Sequence, residues 1–188
     1  MSTSHSLPFQ PHAQVMLDNN VVKGLCECVV KSQARLCVEV GSYLGTGSTP
    51  ILAGLMAARK GRLFCVDHFS MDLMRLQKLD APHYEQFLAN IHAMGFDEFI
   101  TPIRGKSAEV AQTFTETADL IYIDAGHERQ QVETDLRAWL PHLRDGGIIC
   151  GDDADHAYRE GVVGALESVF GSFQQQGRFW WVQPTPTD

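Results

Sequence analysis

A chain of 188 residues, 44% of them hydrophobic, can bury one continuous core and has little left over for a second domain. Its formal net charge of −8 and the lack of any Lys/Arg run exclude a nucleic-acid binder that works through a clustered positive surface, and favour a small-molecule ligand. The five cysteines are odd in number, show no C-x-x-C spacing and read as reduced core thiols. Residues 1–14 carry neither a basic segment nor a long apolar run, so a cytoplasmic protein with no membrane partner is expected.

Apolar residues at Val22, Leu25, Cys26, Val29 and Val30 predict an amphipathic helix over residues 21–33. Short apolar runs at 36–40, 63–66, 99–103, 120–123 and 148–150 then read as parallel strands buried on both faces. Between them, Ile51-Leu52-Leu55-Met56, Tyr84-Phe87-Leu88-Ile91 and Val132-Leu136-Trp139-Leu140 each form one apolar stripe, as helices laid on a sheet do. This βα alternation predicts an α/β fold: a doubly wound, mostly parallel Rossmann-like sheet with helices on both faces, in a single domain over 1–188. Residues 1–20 form an N-terminal extension of that domain, and the long irregular stretch 68–82 is a candidate lid over the site. A last stripe (Val162, Leu166, Val169, Phe170, Phe173) precedes Phe179-Trp180-Trp181-Val182, which reads as the final strand.

The first strand passes into its helix through Gly41, Gly45 and Gly47, a turn in which a ligand can approach the backbone and meet unpaired amides. Glu39 lies at the strand end, and the second strand closes with Asp67 one βα unit later, an acid suited to a ribose diol. The glycine order G-x-x-x-G-x-G departs from the G-x-G-x-x-G that seats a pyrophosphate. With no Tyr-x-x-x-Lys either, this weighs against an NAD(P)-dependent oxidoreductase.

Open α/β sheets bind ligands beyond the carboxyl ends of their strands. There stand Gly41 and Ser42, Asp67 and His68, Gly105 and Ser107, Asp124 and His127, and Asp152 and Asp153. Three carboxylates at neighbouring strand ends repel unless a cation sits among them, and hard oxygen ligands suit Mg²⁺. Plainer roles stay open: the glycines would equally serve a tight turn, Ser107 would cap a helix over 108–114, Asp124 would touch a cofactor without metal, and Asp152 and Asp153 would cap a turn.

The pattern E-x-G-x-x-x-G-x-G, with Asp67, Asp124 and the segment from Gly146-Gly147 to Asp153, resembles class I S-adenosylmethionine-dependent methyltransferases over residues 36–170. The resemblance implies S-adenosyl-L-methionine as cofactor: Glu39, Gly41, Ser42, Gly45 and Gly47 around its methionine part, Asp67 on the ribose, His68 and Ser107 beside the adenine, and Asp124 also in contact. The three acids are similar to those of metal-dependent O-methyltransferases. That likeness implies Mg²⁺ on Asp124, Asp152 and Asp153 and methyl transfer to a hydroxyl of a small molecule, such as a sugar or phenolic natural product. One branch of that group places a carboxylate base two positions after the first acid, where this chain has Gly126. His127 therefore joins Asp124 as catalytic candidate, matching the histidine of a D-x-D-H branch, with His156 second.

In the family's common plan a sixth strand is followed by an antiparallel seventh. The few residues after Val182 imply that the last strand is missing, which leaves an edge near Trp180 and Trp181 where a homodimer would pair. A non-catalytic cofactor-binding domain of the same fold is the alternative that Gly126 and the short C-terminus favour.

Overall fold

The computed structural model describes residues 17–69, 82–155 and 158–185. Helix α1 (Asn19–Lys31) opens with the Asp18 carboxylate accepting from the Asn20 amide at 2.7 Å, one of the donors a helix start leaves unpaired. Strands β1 (Leu36–Val40), β2 (Arg62–Asp67), β3 (Ile100–Arg104), β4 (Ala118–Ile123) and β5 (Leu143–Gly151) run parallel. Helices α2 (Thr49–Arg59), α3 (His83–Met94), α4 (Ser107–Thr113) and α5 (Arg129–Trp139) connect them. After β5 a π-helical turn (Arg159–Val163) leads into α6 (Gly164–Phe170), and the hairpin β6 (Gln174–Gln176) and β7 (Phe179–Val182) follows.

Alternation along the strands builds two cores. In β4, Leu120 and Tyr122 face one side, packed with Leu25 of α1, Met56 of α2 and Phe87 of α3. Ile121 and Ile123 face the other, with Leu136 and Trp139 of α5 and Leu166 of α6. Each large side chain so buried contributes about 1.5–3 kcal/mol relative to exposure, which is why the central strands read as unbroken apolar runs.

The seven-stranded order is β3-β2-β1-β4-β5-β7-β6, so the winding reverses between β1 and β4 and opens a crevice beyond their carboxyl ends. The seven strands correct the expectation of a missing one. Phe179–Val182 is the antiparallel strand, inserted between β5 and β6, and Gln174–Gln176 forms the outer edge. Three glutamines carry no apolar signal because an edge strand needs none. Trp180 is only 1% exposed and donates its indole N–H to the Asp152 carbonyl at 3.0 Å, so it belongs to the interior and not to an open edge.

All five cysteines are free thiols, four of them buried. Among the described residues, no helix is long and apolar enough to cross a membrane. Most of the candidate lid 68–82 and His156 lie outside the described residues.

Candidate functional site

The turn after β1 is shaped by contact with the turn after β4. Gly41 has φ +95°, and a Cβ there would stand 2.1 Å from the Asp124 carbonyl oxygen, so only glycine lets the two loops meet. Gly45, at φ +68°, presses against the Phe87 ring of α3, where a Cβ would come within 2.9 Å. Glu39 is wholly buried and accepts hydrogen bonds from Ser48 Oγ and Thr49 Oγ1, both at 2.6 Å. Burial raises its pKa, and the hydroxyls of Ser48, Thr49 and Ser42 pull it back down. Glu39 and Gly45 thus anchor the loop from beneath, outside the lining of the two site cavities, while Gly41, Ser42 and Gly47 are among the residues that line them.

Asp67 ends β2 beside this turn. One carboxylate oxygen accepts from the Tyr43 amide at 2.9 Å and the other from the Phe69 amide at 2.7 Å; His68 Nδ1 lies 3.3 Å from the latter. Asp67, His68 and Ser107 line one cavity of about 570 Å³, a volume in the range of small-ligand sites. Ser107 is the first residue of α4, with Lys106 in the cap position, so it does not serve as the cap. Its hydroxyl accepts from the Trp139 indole N–H at 2.7 Å and ties α4 to α5.

A second cavity, about 370 Å³, is lined by Gly47, Ser48, His127, Asp152, Asp153 and Arg178, and shares Gly41, Tyr43 and Asp124 with the first. Asp124 therefore stands where the two spaces meet. Burial, then the charges of Asp152 and Asp153, raise its pKa to about 7, against a hydrogen bond from the Tyr122 hydroxyl at 3.1 Å. Asp152 is also raised, chiefly by burial, although Arg178 and the Asp153 amide work the other way.

Arg178, which the sequence did not single out, supplies a cation to this group. Its Nε lies 2.6 Å from Asp152 Oδ1, and its other arm pairs with Asp153. Asp153, in the left-handed region at φ +65°, directs its second oxygen to His127 Nε2 at 2.5 Å. The Tyr158 ring packs on the His127 imidazole with centroids 4.2 Å apart. Asp124, His127 and Asp153 each bring one possible ligand atom within 4.8 Å of the others, whereas Asp152 turns to Arg178.

The geometry offers a nucleoside-sized space with an acid on its wall, joined through one elevated carboxyl to a smaller space holding an imidazole–carboxylate pair. The family described as a methyltransferase domain matches residues 38–154, from within β1 to the acid pair after β5. No curated protein matches the sequence. The solved O-methyltransferase NovP is 16% identical with a TM-score of 0.74, over 93% of this chain and 84% of that one. TomG of Streptomyces achromogenes, an O-methyltransferase involved in tomaymycin synthesis and solved with SAM, is 19% identical with a TM-score of 0.69, over 91% and 82%. An O-methyltransferase from Bacillus cereus, solved with SAH, is 20% identical with a TM-score of 0.67, over 88% and 80%. At such identities the likeness is one of fold. Together with the family match over more than half of its length, it identifies the chain as a member of the methyltransferase-domain family, with the fold of class I S-adenosylmethionine-dependent enzymes.

Proposed function

We propose that this chain transfers the methyl group of S-adenosyl-L-methionine to a hydroxyl oxygen of a small molecule. The meeting of the two cavities at Asp124 carries the reading, because methyl transfer needs cofactor and acceptor in separate spaces that touch at the reacting atoms. The Asp67 carboxylate retains lone pairs beyond those used by Tyr43 and Phe69, enough to accept from a ribose diol. His68 and Ser107 border the base, and Gly41, Ser42 and Gly47, held in shape by Glu39 and Gly45, border the amino-acid part. When bound, the cofactor supplies an electrophilic sulfonium methyl and leaves as S-adenosylhomocysteine.

The remaining task is to orient the acceptor hydroxyl and remove its proton. Asp124, His127 and Asp153 would hold a divalent ion that does both, with Asp152 adjacent. Two carboxylates and an imidazole suit a first-row metal such as Mn²⁺ as well as Mg²⁺. A second reading has its own observation: Arg178 already offsets Asp152 and Asp153. In a metal-free site the Asp153 carboxylate would hold His127 Nε2, leaving Nδ1 to take the proton.

The acceptor is diffusible in this reading, with neither nucleic acid nor membrane as partner, and the enzyme works in the cytoplasm as one domain. A second copy would pair along β6, the outer strand. Chelator-stripped protein, given S-adenosylmethionine and a panel of phenols and sugars with or without Mg²⁺ and Mn²⁺, should release S-adenosylhomocysteine with at least one acceptor. Cofactor binding with no turnover on any acceptor would favour a non-catalytic binding domain.

A further inference from the structure

The π-helical turn after β5 sits directly on the loop that carries His127. Gly161 is the point of contact: a Cβ there would stand 1.8 Å from the His127 carbonyl oxygen, so only glycine lets the turn close down on this loop. The turn is also fixed from within. Its Gly164 amide donates to the Arg159 carbonyl five residues back, and the Val162 amide donates to the Tyr158 carbonyl at 2.8 Å. Val162 and Val163 are buried in the core with Leu136 and Leu166. Single π turns of this kind are frequent at functional sites.

Tyr158, at the start of the turn, is the side chain so placed. Its ring lies on the His127 imidazole with centroids 4.2 Å apart and planes 32° from parallel, while 39% of the residue stays exposed, outside both cores. The imidazole needs such a wall. Its bond to Asp153 is made by Nε2, an atom near the Cβ–Cγ axis, so that bond limits rotation about χ2 only weakly, and χ2 of histidine is a broad torsion. Nδ1 lies off that axis. Its direction depends on the plane of the ring, which the Tyr158 face restrains.

We infer that Tyr158 is a positioning residue: seated through Gly161, its ring holds the plane of the His127 imidazole and so the direction of Nδ1. The inference rests on the reading above, in which His127 serves removal of the acceptor proton as metal ligand or as base.

Carbon-13 relaxation of the imidazole Cδ2–H bonds in the metal-free, ligand-free protein reads the ring directly. In the wild type the His127 bond should be about as ordered as rigid backbone, with an order parameter of about 0.85, and Tyr158→Phe, which keeps the aromatic face, should match it. In Tyr158→Leu it should fall below about 0.6, while His142, whose ring packs on Phe114 and Trp139, stays unchanged as the control. With an acceptor that turns over in the panel above, kcat of Tyr158→Leu should drop by about tenfold or more with KM little changed, and Tyr158→Phe should restore it. A mobile His127 ring in the wild type, or an equally ordered one in folded Tyr158→Leu, overturns the inference. The relaxation data need no acceptor, so they decide it even where none turns over. A ring that loosens as expected while kcat holds overturns the part given to His127 in the reading above, not the stack that orients it.

Discussion

Arg178 Nε lies 2.6 Å from Asp152 Oδ1, so the acid pair at the end of β5 is already met by a cation from the β6–β7 turn. The side chain is 38% exposed, and solvent screening reduces the pair below a fully buried one. Arg178→Ala should therefore cost about 1–3 kcal/mol of stability, less than the 3–5 expected for a fully buried pair. It should also tighten Mn²⁺ binding, because Asp152 and Asp153 lose their competing cation. Urea denaturation and a Mn²⁺ titration check the two effects; weaker Mn²⁺ binding in the variant would contradict the competition.

Asp124 gives the site its pH dependence. Its pKa rises from 3.8 unfolded to about 7 folded, driven by burial and then by Asp152 and Asp153. The folded state thus keeps a proton that the unfolded state has released. Its contribution to stability is complete below the lower value and is lost as pH rises through the upper one. Ligand-free protein should lose stability over that window, and Asp124→Asn should flatten the slope. Because ionised Asp124 attracts a sulfonium, the preference for S-adenosylmethionine over S-adenosylhomocysteine should grow as pH rises through about 7. Denaturation midpoints and paired titrations across pH measure both.

Asp67 holds the amides of Tyr43 and Phe69 while presenting its carboxylate to the larger cavity. Asp67→Ala should lower S-adenosylhomocysteine affinity by about 100-fold and stability by about 1–2 kcal/mol, since two backbone donors lose their acceptor as well. Calorimetry and thermal melts separate the two losses. Unchanged affinity in a folded variant would remove Asp67 from the cofactor site.

Gly41→Ala would place a methyl group 2.1 Å from the Asp124 carbonyl at a φ of +95°. The clash can be relieved only by parting the turns after β1 and β4. A stability loss of about 2 kcal/mol or more and greatly weakened cofactor binding are expected, as read by denaturation and titration.

The parts of this molecule visible in the sequence were those whose environment repeats. Val38, Ile121 and Ile149 lie in strands buried on both faces, and such strands show as apolar runs. Asp67 and Asp124 were visible because each directly follows such a run. Gln174–Gln176 were not, since an edge strand of glutamines has no hydrophobic period. Arg178 escaped for a different reason: only the hairpin that places β7 antiparallel to β5 brings residue 178 to residue 152.

The central claim is that the larger cavity holds S-adenosylmethionine. Titrating metal-free wild-type protein with S-adenosylmethionine, S-adenosylhomocysteine and NADH tests it most directly. The account requires binding of both S-adenosyl ligands with Kd on the order of micromolar, about 8 kcal/mol, and no comparable heat from NADH. Binding of NADH with neither S-adenosyl ligand bound would contradict it.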